Sequence, residues 1–403
     1  MKTYRLFLSI AIVLSLSVSV LYAANDWPCF RGPERNSIST EKDWDPAALS
    51  KKVKMAWSGN VGEGYSAVSI KDGKLYSMGN TDDTDIIYCL DAATGKEIWK
   101  KSYPSKKGSY PGPRATPTVD DGKVYTLGRN GDVLCLDAKT GKVAWQKNVI
   151  KEYGADNIKW GLAGSPCVYG NALVINAGKH GIVLNKATGE KVWDSSPGKG
   201  GYSTPVIYKK DKTHCVSVFG EKGVYGVDLK TGKQLWFYEW ETSWDVNAAD
   251  PTVVGDKIFI TSGYKRGCTL LDISGATPKS LWENKEMASQ FSSPVYLDGN
   301  IYGISGNAGK GDLKCIDLNT GKVKWSHDSG FGSLMVADNK LIILNERGVL
   351  TIAEASPSGY KEISSAKVMD PKGAKCWTMP VLCNGKIYCR DSKGQLVCID
   401  VSK

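Results

Sequence analysis

Cys135-Leu136-Asp137-Ala138-Lys139-Thr140-Gly141-Lys142-Val143-Ala144-Trp145 is the clearest copy of a phrase that runs through this chain. The tryptophans that close it are Trp57, Trp99, Trp145, Trp193, Trp236, Trp282 and Trp325, in steps of 42, 46, 48, 43, 46 and 43 residues. A period in the forties, built from short strands, is the signature of a propeller blade. Around this copy the stretch from Ala115 to Val149 divides into four short apolar or alternating runs separated by turn residues, each too short for a helix. Pro117–Val119, Lys123–Leu127, Val133–Asp137 and Lys142–Lys147 are predicted as strands A, B, C and D, with Asn130-Gly131 as a hairpin turn between B and C. Asp137 is expected to accept N–H groups of the turn after it, Gly141 to close that turn with a positive φ, and Trp145 to bury its ring between blades.

The phrase recurs with Asp91 and Trp99, Asp228 and Trp236, and Asp317 and Trp325. It carries Asn185 in the third copy, loosens to Asp272-Ser274-Gly275-Trp282 in the fifth, and degenerates near Thr351–Ile363, where Ile363 stands at the expected tryptophan. The two ends set the count. Val53–Trp57 reads as a D strand with nothing before it, while Pro380–Leu382, Lys386–Cys389 and Gln395–Val401 read as A, B and C strands with nothing after them. Pairing the two ends closes an all-β, eight-bladed propeller of four-stranded antiparallel blades over residues 53–403 and removes the exposed sheet edges.

Residues 1–23 read as a signal peptide: Lys2 and Arg5, then an apolar run from Leu6 to Val20, then Leu21-Tyr22-Ala23. Residues 24–52 form an arm without repeat character that is expected to pack on the ring. An exported chain, periplasmic or extracellular and without a further membrane span, follows. The net charge of +10 comes mainly from lysines scattered over turns, which gives no support to nucleic-acid binding. Of the eleven cysteines, Cys89, Cys135, Cys315 and Cys398 fall in one slot of different repeats, too far apart to bridge, and read as small buried hydrophobes. Cys376, Cys383 and Cys389 leave room for at most one pair. Three histidines and no Cys-x-x-Cys give a zinc site little support.

The Asp-x-x-Thr-Gly-Lys-x-x-Trp phrase resembles the repeats of the PQQ-like propeller superfamily, which includes quinoprotein alcohol dehydrogenases and the propeller lipoprotein of the Bam outer-membrane assembly complex. Trp27-Pro28-Cys29-Phe30-Arg31-Gly32-Pro33, Gly112–Pro117, Asp245–Ala249 and Lys375–Thr378 also resemble a group of exported bacterial PQQ-like repeat proteins. The quinoprotein side of the resemblance implies PQQ with calcium in the channel and an aspartate such as Asp250 as base. The Bam side implies a cofactor-free scaffold that presents loops to a protein, peptide or glycan of the cell envelope. The chain lacks the adjacent cysteines of many quinoproteins and the lipid-anchor cysteine of the Bam protein.

Side chains on the returns from each D strand to the next A strand face one mouth of the channel. Those that break the repetition are Arg114, Trp160, Tyr202, Asn247, Asp250, Phe291 and Trp377. Arginine suits an anionic group and tryptophan faces suit a planar or sugar-like ring. Asn247 and Asp250 would orient the ligand or, with Asp245, hold a cation. The competing structural reading has hydroxyls capping strand ends, aromatics filling the channel and Arg114 paired with a carboxylate. No Ser-His-Asp or paired-carboxylate signature appears, so the sequence favours a monomeric, non-catalytic binding scaffold, with a PQQ-dependent dehydrogenase as the alternative.

Overall fold

Thr118–Asp120, Lys123–Leu127, Asp132–Asp137 and Val143–Asn148 form one antiparallel sheet in sequence order, so the stretch that predicts a blade builds one. The computed structural model describes residues Asn25–Lys403; the leader read over residues 1–23 lies outside the described residues. Eight such sheets make the propeller, numbered here blade 1 (69–104), 2 (118–148), 3 (167–194), 4 (206–239), 5 (252–284), 6 (295–328), 7 (332–367) and 8 (381–400 with 54–60). Blade 8 is the shared one: Lys54–Asn60 pairs antiparallel with Gln395–Asp400 and closes the ring.

The repeated phrase is an interblade lock. Asp137 Oδ1 accepts the N–H groups of Lys139 (3.1 Å) and Thr140 (3.0 Å) and the Thr140 hydroxyl (2.9 Å). Asp91, Asp228 and Asp317 hold their threonines in the same way. The turn then needs Gly141 at φ 71°, and the Trp99 ring of the preceding blade lies so close that a Cβ there would meet it at 2.7 Å. The indole completes the lock, with Trp99 Nε1 donating to Ala138 O at 3.1 Å. Trp57, Trp145, Trp193 and Trp282 donate likewise to Ala92, Lys186, Leu229 and Leu318. Trp236 departs where the fifth phrase loosens. Its indole donates to the Tyr208 hydroxyl (3.0 Å), and Lys210 takes the Ile273 carbonyl instead (2.7 Å).

In every D strand the register slips by one residue just before the tryptophan slot. This bulge turns the preceding residue outward, which is why Ile98, Val192, Leu235 and Leu281 are exposed, and it kinks the outer edge against pairing with another sheet. The bulge also corrects the reading of blade 7. Ile363 is the bulged residue, and Ser364, opposite Ile352, holds the tryptophan slot. A serine cannot fill that space, and the N-terminal arm does. Ser364 Oγ donates to Pro46 O (2.6 Å), the Asp45 N–H donates to Val401 O (2.7 Å) where an indole would, and Trp44 is buried in the same cluster.

Before reaching that slot the arm crosses one mouth of the channel. Trp27 bridges Ile70 of blade 1, and Pro28 O accepts the Val119 N–H of blade 2 (2.8 Å). Arg35 donates to Val168 O of blade 3 (3.2 Å), and Ile38–Ser39 adds a fifth, parallel strand to blade 7. Glu41 then accepts the N–H groups of Asn384 and Gly385 in blade 8. The arm is thus a floor to the channel as well as a clasp on the ring. All eleven cysteines are buried free thiols, so the pairing left open for Cys376, Cys383 and Cys389 is not made.

Candidate functional site

Where the chain returns from an outer strand to the channel, a girdle of side-chain oxygens links consecutive blades. The N–H of Ala67 donates to Thr116 Oγ1 (3.1 Å), that of Thr116 to Ser165 Oγ (2.9 Å) and that of Ser165 to Thr204 Oγ1 (3.1 Å). The N–H of Thr204 donates to Asp250 Oδ1 (2.7 Å), and that of Asp250 to Ser293 Oγ (2.9 Å). Five of these six positions need only a small group, and four of them use a hydroxyl. Asp250 alone brings a charge, 4% exposed, and the arm answers it with Arg31, whose guanidinium lies 3.8 Å away. Burial outweighs that attraction and pushes the Asp250 carboxyl up to about 6. Arg31 is itself held by Ser37 Oγ (2.9 Å) and Pro294 O (2.9 Å).

Above this floor lies a cavity of about 250 Å³ with two aromatic walls. In one, Trp377 stacks on Tyr65 at 5.4 Å with 23° between planes, meets Phe291 at 5.1 Å and Tyr110 at 6.2 Å, and is anchored by Nε1 donating to Glu346 (3.1 Å). In the other, Trp160 and Tyr202 lie 6.0 Å apart. The Lys159 ammonium lies 5.0 Å from the Trp160 ring and 3.8 Å from that of Trp244, which is 61% exposed. Burial raises the Tyr202 phenol to about 12, so it remains a neutral donor.

Arg114 reaches the cavity from the return into blade 2. Its guanidinium lies 5.6 Å from the Tyr65 ring and donates only to the Tyr110 (3.0 Å) and Gly112 (3.4 Å) carbonyls. No carboxylate pairs with it among the described residues. Burial and the neighbouring Arg129 charge lower its pKa to about 10, which leaves it cationic at neutral pH. On the opposite side of the ring, in the return into blade 6, Ser292 lines the cavity, 2% exposed, with its hydroxyl shielded and without a partner. Tyr110 and Tyr264, both lining the cavity, hold left-handed backbone at φ 52° and 56°.

The structure brings Arg114, Trp160, Tyr202, Asp250, Phe291 and Trp377 to this one cavity. Asn247 stands apart from it. It is fully buried, its amide N donates to the Gly220, Glu221 and Trp240 carbonyls, and its Oδ1 accepts from Thr242 and Ser262. Asp245 lies at the surface beside Lys222 (3.7 Å). The oxygen ligands for a calcium ion are therefore not assembled, and no group of three His, Cys, Asp or Glu suited to a metal occurs among the described residues. Tyr110 and Tyr264 line the cavity without having been singled out in the sequence. Tyr110 adjoins the non-repeating Gly112–Pro117 phrase, which was a usable signal, whereas Tyr264 sits in an ordinary B–C hairpin of blade 5 and carried none.

The family model described as outer membrane protein assembly factor BamB matches residues 82–327, more than half of the chain. The chain belongs to this family. Within it, BamB of Salmonella typhimurium is 27% identical over 109 residues, which are 27% of this chain and 26% of that protein. BamB of Moranella endobia is 28% identical over a stretch of the same length and the same two shares. The matched stretch thus spans about a quarter of the length of these curated relatives. Among solved structures, BamB from Moraxella catarrhalis is similar with a TM-score of 0.62 at 15% identity, covering 87% of this chain and 98% of that one. Quinohemoprotein alcohol dehydrogenase from Comamonas testosteroni has a TM-score of 0.71 at 15% identity, covering 94% and 81%. At such identities the likeness is one of fold, a PQQ-like propeller shared by BamB and the quinoprotein dehydrogenases.

Proposed function

We propose that this BamB-family propeller is a non-catalytic binding scaffold of the bacterial cell envelope, working in the periplasm and recognising a ligand at the aromatic mouth of its channel. The observation that carries the reading is the state of Asp250. The one carboxylate of the cavity is a rung of the interblade girdle, bound to the Thr204 N–H and faced by Arg31. A general base must reach its substrate, and this carboxyl, 4% exposed, is turned to the girdle through Oδ1 and toward Arg31 through Oδ2. The reading is further supported by Asn247 and Asp245, the candidate calcium ligands, whose oxygens are turned to Thr242 and Lys222. The name of the family, an assembly factor for outer membrane proteins, supports an envelope partner reached through the loops around the mouth.

The test is deletion of the gene in its own host, with folded outer membrane proteins scored by their heat-modifiable mobility, beside the purified protein assayed with PQQ, calcium and a dye for alcohol oxidation. The scaffold reading expects fewer folded outer membrane proteins and no turnover. An unchanged outer membrane together with saturable PQQ-dependent turnover refutes it.

A further inference from the structure

The lysines that give the chain its excess charge are not evenly spread over the turns. In each blade the A–B turn and the C–D turn lie at the same end, because the four strands run antiparallel in sequence order. The arm crosses this end, with Glu41 bound to the A–B turn of blade 8, so it is the floor face, opposite the aromatic mouth. In these turns blades 1 and 2 each balance three lysines against three carboxylates, and blade 5 balances two against two. Blade 4 does not balance. Residues 209–214 and 228–234 hold five lysines against Asp211 and Asp228, and the Asp228 carboxylate is engaged by the Lys230 and Thr231 groups of its own turn. Lys210 is spent on the Ile273 and Gly275 carbonyls, at 2.7 and 2.6 Å. Lys209, Lys212, Lys230 and Lys233 are exposed, and none of the four makes an ion pair among the described residues. The turns that carry them are contiguous. The Leu229 N–H donates to His214 O (3.0 Å), which sets the C–D turn beside the A–B hairpin, and Lys209 stands opposite His214 in that hairpin. The His214 ring lies 5.0 Å from that of Tyr169, 41% exposed, at the A–B turn of blade 3.

None of these residues lines the channel cavity or the cleft between blades 1 and 2. They stand on turn tips at one end of the ring, where they meet an extended surface more readily than a small ligand. Four ammonium groups on flexible stems, with no arginine fork among them to fix a single oxyanion, match a diffuse negative field such as that of anionic headgroups. Tyr169 adds an amphipathic ring of the kind that rests at headgroup level. We propose that blade 4 docks by its floor-face turns on an anionic phospholipid surface, with Lys209, Lys212, Lys230 and Lys233 among the headgroups and Tyr169 beside them. The aromatic mouth, at the other end of the ring, is then held toward the aqueous side, open to a partner. This contact goes beyond the scaffold reading and does not depend on what the mouth binds.

Co-sedimentation of the protein with vesicles of phosphatidylglycerol and phosphatidylcholine in equal parts, against vesicles of phosphatidylcholine alone, tests it. Binding is expected to the anionic vesicles only, at about 0.01 M salt, where charges act over about 30 Å, and should be lost at about 1 M, where they act over about 3 Å. Each lysine near the surface contributes roughly 5-fold, so replacing all four by glutamine should weaken binding by roughly 100-fold or more. The control removes the same net charge from blades 1 and 2, as Lys96→Gln, Lys101→Gln, Lys139→Gln and Lys142→Gln together, and should change binding by no more than about 3-fold. An unchanged denaturation midpoint shows that both variants keep the fold. An environment-sensitive dye should shift to the blue on the anionic vesicles when carried by Thr213→Cys, on the floor face, and stay unshifted when carried by Ser243→Cys, on the mouth side. Equal losses in the two fourfold variants, or no binding to the anionic vesicles, overturn the proposal. Retention on immobilised polyglutamate without binding to either vesicle replaces the membrane by an acidic protein and overturns it as well. The outer-membrane phenotype judges the scaffold reading separately, since no outcome here depends on it.

Discussion

Gly141→Ala isolates what one interblade lock contributes, because the same blade holds its own control. Gly141 and Gly122 have nearly the same backbone, at φ 71° and 68°. A Cβ at Gly122 meets nothing within 4 Å, whereas at Gly141 it comes to 2.7 Å from the Trp99 ring. Alanine in the left-handed region costs about 1–2 kcal/mol, offset in part by about 0.4–1 kcal/mol from the stiffer unfolded chain, so Gly122→Ala should destabilise by about 1 kcal/mol. Gly141→Ala carries that same cost plus about 1–3 kcal/mol of overpacking against the indole. Urea denaturation followed by tryptophan fluorescence reads both. The expected gap between them, about 1–3 kcal/mol, should close in a Trp99→Leu background, since the ring that the new methyl strikes is then gone. Equal costs for the two alanines, or a gap that survives Trp99→Leu, would refute the idea that the tryptophan seats on the next blade's turn.

Trp44→Ala should cost about 3–5 kcal/mol by denaturation, as a large core deletion does, and Ser364→Trp should destabilise instead of restoring the repeat, because the arm already occupies that slot. Asp250 gives a pH dependence whose sign is opposite to that of an ordinary carboxylate. Its folded pKa of about 6 exceeds the unfolded value, so its contribution is complete below the unfolded pKa of about 3.9 and is lost as pH rises through 6. The stability of wild type relative to Asp250→Asn should therefore improve on going from pH 7.5 to pH 4, by up to about 3 kcal/mol, with a flat difference refuting the assignment. The native protein should leave its eleven thiols unmodified by an aromatic disulfide reagent, and all eleven should react after denaturation without reductant, since every one is buried and unpaired. A native count above one or two would mean that the ring opens far more readily than its packing implies.

The repeat could be read from sequence because each blade solves one local packing problem with the same residues, and the aspartate, glycine and tryptophan of the phrase all act within one blade and its neighbour. What that ruler could not reach is whatever depends on several blades at once. Asn247 and Asp250 look alike in the sequence, two unrepeated polar residues three positions apart, yet one is tied inside a knot of five hydrogen bonds and the other is a girdle rung facing the cavity. Only the ring as a whole decides which of them meets the channel. Ile363 shows the same limit on a smaller scale, because a one-residue bulge exchanges the inward and outward positions and no composition of the strand announces it. The arm is the strongest case. With no repeat of its own, it supplies Arg31 to the charge that blade 5 introduces and Trp44 to the space that blade 7 leaves open. Both departures from the repeat would be costly in an isolated propeller, a buried unpaired carboxylate and a void between blades. The arm and these two irregular blades are therefore one unit, and replacing Asp250 by serine while Arg31 is replaced by leucine should be tolerated far better than either change alone.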